Sequence, residues 1–154
     1  MKIRFFISFI CILVLSGCGY SLSSVEKNYR VTNINTEGNI KANFKLKNKI
    51  LITSLKGSSN LIELNIKTKI DKSIKEKNIS NQINKYQIII TTLVNYKSLN
   101  KDKEGKFEII KVGNYNVSNK YSQTLNNEKR IINSLINEIA DEINENLSLS
   151  FNDS

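Results

Sequence analysis

Between positions 62 and 74 the chain alternates apolar and polar side chains with a period of two. Ile62, Leu64, Ile66, Thr68, Ile70 and Ile74 share one parity, and Glu63, Asn65, Lys67, Lys69, Asp71 and Ser73 fill the other. Successive side chains of a strand point to opposite faces, so the pattern predicts one long strand with a dry face and a wet face. Glu76-Lys77-Asn78 then marks a turn. A second long strand follows from Tyr86 to Tyr96, with Tyr86, Ile88, Ile90, Thr92, Val94 and Tyr96 in phase. Ile89 and Leu93 interrupt its polar side, which predicts a central strand or one that touches a partner on its second face.

The charged stretch Asn100 to Gly105 reads as a loop. A third long strand is predicted from Phe107 to Val117, with Phe107, Ile109, Tyr115 and Val117 in phase and Lys111 and Gly113 breaking the row. A glycine inside a strand predicts a bulge or the close approach of another backbone. Upstream, Tyr29 to Asn33 predicts a short first strand with Tyr29 and Val31 on one face.

Two segments carry helical spacing instead. Thr36-Glu37-Gly38-Asn39 supplies a start signal, and Ile40, Phe44, Leu51 and Leu55 fall on one stripe that closes at Gly57. The second helix is the stronger one. Leu125, Ile132, Ile136, Ile139, Ile143 and Leu147 form its stripe, widened by Leu135 and Ala140, and acidic side chains occupy much of the other side. Such a stripe predicts packing against a core. The acidic side argues against lying on an anionic bilayer.

The order is therefore strand, helix, strand, strand, strand, helix. The economical arrangement is α+β: two helices packed on one face of a four-stranded, mainly antiparallel sheet, with the other face open. Lys67, Lys69 and Ile89 are predicted to face outwards on that open side. Antiparallel sheets tolerate a solvated face, but such a face also suits a partner or a ligand.

Ahead of the domain, Lys2 and Arg4 precede an apolar run from Phe5 to Leu15, and Leu15-Ser16-Gly17-Cys18 follows. A charged start, a short apolar middle and small residues before a cut site describe a secretory signal peptide. The run is too short for a spanning helix, which needs ~20 apolar residues. Leu at −3, small residues at −2 and −1 and Cys at +1 form the lipobox of a bacterial lipoprotein, in which the Cys18 sulfur takes the diacylglycerol. The expected organisation is a signal peptide over 1–17, a lipidated terminus and tether over 18–28, and one domain over 29–154.

Composition narrows the function. Cleavage removes Cys11 and leaves Cys18 as the sole cysteine, so no internal disulfide forms. The chain has no His, no Trp and no Pro. Without His or a spare Cys, zinc sites of the usual kind cannot be built, and the commonest general base is missing. Neither metal nor cofactor is expected, and the reading is non-enzymatic. Cleavage also removes two of the 23 basic residues and none of the 14 acidic ones, so the net charge falls from +9 to +7. Anionic partners such as phosphorylated glycolipid or phospholipid headgroups fit that balance, though an AT-rich genome would also favour a Lys-, Asn- and Ile-rich chain.

The lipobox, Cys18-Gly19-Tyr20 directly after it, the βαβββα order, and Tyr115 with Tyr121-Ser122 ahead of the final helix together resemble the LPS-assembly lipoprotein family (LptE, rare lipoprotein B). The resemblance implies a lipoprotein on the periplasmic side of the Gram-negative outer membrane. It implies pairing with the β-barrel LptD, help in that barrel's assembly, and transport of lipopolysaccharide, with no nucleic-acid partner. Gly19, in place of Asp, fits passage to the outer membrane. Of the functional residues only Cys18 carries over. On sheet parity, Lys67 and Lys69 are the cations expected to contact lipopolysaccharide. The alternative is a stand-alone periplasm-facing lipoprotein that binds an amphiphile or a cell-wall polymer.

Overall fold

A computed structural model describes residues 29–54 and 60–152. The signal peptide, Cys18 and the tether lie outside these, as do Leu55 and Gly57. The elements run β1 (Arg30–Gly38), α1 (Ile40–Ser54), β2 (Leu61–Lys77), β3 (Ile83–Ser98), β4 (Glu104–Asn116) and α2 (Tyr121–Asn152). The sheet order is β1-β2-β3-β4. β1 and β2 are parallel, and the two later pairs are antiparallel. The parallel pair requires a crossover, and α1 supplies it. α1 packs on β1 and β2, α2 packs on β3 and β4, and the helices meet each other. The α+β architecture expected from the periodicities is the one observed.

Burial follows the predicted parity. Ile62, Leu64 and Ile66 of β2, Ile88, Ile90 and Val94 of β3 and Ile109 of β4 are buried against the helices. From α2 come Leu135, Ile136, Ile139, Ala140, Ile143, Leu147 and Phe151. Each fully buried aliphatic side chain contributes roughly 1.5–3 kcal/mol, and the described residues include no cysteine. The strands are long: 17 residues in β2, 16 in β3 and 13 in β4, against ~5–6 in ordinary sheets.

The sheet overhangs its helices. Ile70 is half-buried and Ile74 is 49% exposed, although both keep the inward parity of β2. α1 begins above Thr68, where the Asn39 amide donates to the Thr68 carbonyl at 3.0 Å. β2 runs on to Lys77 with nothing from α1 above it. The turn falls at Asn78–Gln82, slightly later than Glu76-Lys77-Asn78, because pairing persists to Lys77 and Ile83. The Asn78 carboxamide oxygen closes that turn by accepting from the Ser80 and Gln82 amides.

β1 is longer than the predicted Tyr29 to Asn33. It reaches Gly38, and a register shift between Val31 and Asn33 turns both Val31 and Ile34 into the core. Strict alternation cannot show a bulge in advance. Gly38 then ends the strand at φ 97°, and a Cβ there would lie 2.1 Å from the Thr68 carbonyl oxygen. Only glycine fits. Asn39 caps α1, its side-chain oxygen accepting from the Ala42 amide at 3.0 Å.

The face that α1 buries corrects the sequence reading. Ile40 is 85% exposed and Phe44 66% exposed, whereas Ala42, Asn43, Leu46, Ile50 and Ser54 turn inwards. Both stripes have helical spacing. Leu51 of the expected stripe is half-buried and packs against the core, so the buried face is rotated from the expected one rather than opposite to it. Lys47, also half-buried, donates to the Ile34 carbonyl of β1.

β4 carries a second correction. Gly113 marks neither a bulge nor an approaching backbone, since the β3–β4 register is unbroken. A Cβ at Gly113 would meet the Ile131 side chain of α2 at 2.7 Å. Lys111, the other interruption, reaches across to an ion pair with Glu142 of α2.

Candidate functional site

Two surfaces offer themselves, and the first is the open face of the sheet. Lys67 and Lys69 point outwards there, and neither is free. Lys67 Nζ lies 2.8 Å from Glu37 Oε1, and Lys69 Nζ lies 2.9 Å from Asp71 Oδ2. Both pairs are exposed, so each contributes little to stability, on the order of 0–1 kcal/mol. They do offset much of the positive charge that parity alone assigned to this face. Cys18, the remaining sequence candidate, lies outside the described residues.

The same face holds a small apolar strip. Ile89 pairs directly with Val112, and Ile110 sits one rung along opposite Thr91. Val112 is 52% exposed and Ile110 55% exposed. Sequence reasoning singled out Ile89 and Leu93 but not the β4 pair. The signal was present: Glu108, Ile110 and Val112 alternate with an inward row that Lys111 and Gly113 had already weakened.

The second surface lies on the helix side, where the sheet overhangs. A groove of about 320 Å³ opens between the start of α1 and the first half of α2. Ile70 of β2 and Leu125 and Ile132 of α2, all half-buried, give it an apolar lining. Lys41 stands on the α1 side and Lys129 on the α2 side. Lys45 also borders it and bonds the Asn133 carboxamide, bridging the two helices. The sequence reading did not find this groove, since it depends on where α1 begins relative to β2.

One acid borders the groove, and it is already engaged. Glu128 Oε2 accepts from Lys72 Nζ and from the Tyr115 hydroxyl, each at 2.7 Å. Lys72 lies 4.4 Å above the Tyr86 ring, which stacks on Tyr115 at 5.5 Å. Burial pushes the Glu128 carboxyl up, but the hydrogen bonds from Lys72 and Tyr115 outweigh it and hold the group below its ordinary value. For Tyr115, burial and the Glu128 carboxylate push the phenol up, against the opposing charge of Lys72.

At the other end of the molecule a buried polar knot ties the chain entry to α2. The Tyr29 hydroxyl donates to Asn144 Oδ1 at 3.0 Å, and Thr53 donates to the same oxygen at 3.1 Å. Asn144 Nδ2 donates to the Ala140 carbonyl, and Ser148 Oγ donates to the Asn144 carbonyl. Burial pushes the Tyr29 phenol up to about 12. Every member is satisfied, as a buried network must be if it is not to destabilise. Its partners lie within the core, which marks it as structural.

Among the described residues, no group of three or more His, Cys, Asp or Glu could hold a metal ion. Among the same residues, no helix is long and apolar enough to cross a membrane.

No protein-family model matches the chain, and no curated protein matches its sequence. Solved structures do match the fold. The rare lipoprotein B from Shewanella oneidensis superposes with a TM-score of 0.58 at 9% identity, covering 75% of this chain and 93% of its own. The uncharacterized lipoprotein B from Nitrosomonas europaea gives a TM-score of 0.61 at 12% identity, covering 85% and 91%. A minor lipoprotein from Acinetobacter baumannii gives 0.58 at 8% identity, covering 79% and 91%. At these identities the likeness is one of fold.

Proposed function

We propose that the chain is a non-catalytic lipoprotein of the outer membrane, anchored through Cys18, that pairs with the β-barrel LptD and assists its assembly and the transport of lipopolysaccharide. The observation that carries this reading is a conjunction. A lipobox at Leu15–Cys18 precedes a βαβββα domain whose fold is that of several solved bacterial lipoproteins.

The geometry suits the role. Arg30 pairs with Leu61 at the start of β2, so the chain enters at the end of the sheet remote from the 78–82 turn. A tether over 18–28 spans at most ~40 Å even when fully extended. The β2–β3 hairpin, with 17 residues in β2, extends roughly 55 Å away from that entry point. A domain held near a membrane at one end therefore projects a long hairpin and a half-open sheet away from it. A polar sheet face of this kind is compatible with the polar interior of a large barrel.

Depletion of the protein, followed by measurement of lipopolysaccharide at the cell surface, tests the reading. Reduced display is the expected outcome, and normal display would contradict it. The apolar-lined groove favours a second reading, a stand-alone lipoprotein that binds an amphiphile. Purification without a barrel partner at near one-to-one ratio would support that alternative.

A further inference from the structure

We propose that the groove between α1 and α2 binds a single-chain lipid with a phosphate head, its tail on Ile70, Leu125 and Ile132 and its head between Lys41 and Lys129. The inference rests on the reading of the chain as a lipid-handling lipoprotein. It does not depend on the barrel partner.

The groove follows from the overhang. α1 stops short of the hairpin half of β2, while α2 runs on beside it, so Ile70 is left as an uncovered floor against the apolar side of α2. At about 320 Å³ the space falls at the small end of ligand sites, which run ~300–1,000 Å³. Such sites combine apolar walls with a few placed polar groups. Here they are the lysines Lys41, Lys45 and Lys129, with Asn39, Asn133 and Glu128 beside them.

Charge selects the head group. Lys41 and Lys129 make no hydrogen bond or ion pair among the described residues, unlike Lys67 and Lys69, which hold carboxylates. Lys45 is occupied by Asn133. Glu128, the acid on the lining, is occupied by Lys72 and Tyr115, so its charge is already compensated. The first turn of α1, which also borders the groove, carries no acidic residue. Two free ammonium groups beside an apolar floor match a phosphate monoester on an alkyl chain, since charge-assisted hydrogen bonds to phosphate are strong ones.

The test titrates the mature chain calorimetrically with dodecyl phosphate below its micelle concentration, with inorganic phosphate and dodecyltrimethylammonium in parallel. Saturable binding of dodecyl phosphate alone is expected. Lys41→Glu with Lys129→Glu should weaken it by at least about tenfold, whereas Lys67→Glu with Lys69→Glu should leave it unchanged. Ile132→Trp, which fills the groove from its wall, should also reduce binding, with a thermal melt confirming that the fold is kept. Equal affinity in the Lys41/Lys129 variant, or equal binding of the cationic amphiphile, would overturn the inference. Lost binding in the Lys67/Lys69 variant would move the site to the open sheet face. If dodecyl phosphate fails to bind while depletion lowers lipopolysaccharide display, the groove inference falls and the functional reading stands. If it binds at the groove while display is normal, the reverse holds.

Discussion

Thr92→Val should stabilise the protein. Thr92 is 0% exposed in the middle of β3, and its hydroxyl has no hydrogen-bond partner. Thr68, directly across on β2 and 1% exposed, is in the same condition. A buried hydroxyl without a partner costs about 1–3 kcal/mol in mutational data, because it leaves water and gains nothing. Valine keeps the branched shape that a strand favours and replaces the hydroxyl with a methyl group that belongs in this core. The expected gain is ~1–2 kcal/mol for Thr92→Val, and less than twice that for the Thr68/Thr92 double variant, since the two sites touch. Urea unfolding of the mature chain followed by circular dichroism reads this out. With a slope of ~1–3 kcal/mol per molar, the midpoint should rise by roughly 0.5–1 M at constant slope. A lowered midpoint would mean instead that the hydroxyl is a working member of a buried polar network.

The two stripes of α1 should respond oppositely. Leu46→Ala should cost roughly 2–5 kcal/mol in urea unfolding, while Phe44→Ala, on the outer stripe, should cost well under half of that. Gly38→Ala should lower the unfolding midpoint sharply, by about 2 kcal/mol or more, because φ is positive and a Cβ would strike the Thr68 carbonyl. Glu128→Gln should flatten the acid side of the stability profile. The folded carboxyl titrates below its ordinary value, so its contribution is present above the unfolded pKa and is lost as pH falls through the folded one. Tyr29→Phe should do the same on the alkaline side. The phenol is raised from 10.0 to about 12, so its contribution is complete below pH 10 and is lost as pH rises through 12. Chemical unfolding at stepped pH values checks both.

Most of the architecture was written in side-chain periodicity. Ile62 to Thr68 and Ile88 to Val94 alternate because a single layer of helices covers one face, and Leu125 to Leu147 repeats at helical spacing for the complementary reason. The misses came from features that need a second element to define them. The β1 bulge at Val31–Asn33 has no signature in a single strand. The buried face of α1 depends on how Asn39 seats the helix start on Thr68 of β2, which the spacing of Ile40, Phe44 and Leu51 does not show. Gly113 is small because Ile131 arrives from a helix some twenty residues later in the chain. The site was less legible than the fold. Parity placed Lys67 and Lys69 outwards, but not the partners Glu37 and Asp71 that hold them. The groove arises from the relative lengths of α1 and β2, which no local pattern encodes.

Affinity isolation of the protein from detergent-solubilised outer membranes, with mass spectrometry of both the bait and what accompanies it, asks whether this domain is a lipid-anchored partner of an outer-membrane barrel. The expected result is a chain that begins at an acylated Cys18, with a co-isolated LptD-type barrel at near one-to-one ratio. An uncleaved, unmodified chain, or a lipidated one recovered with no barrel, would contradict it.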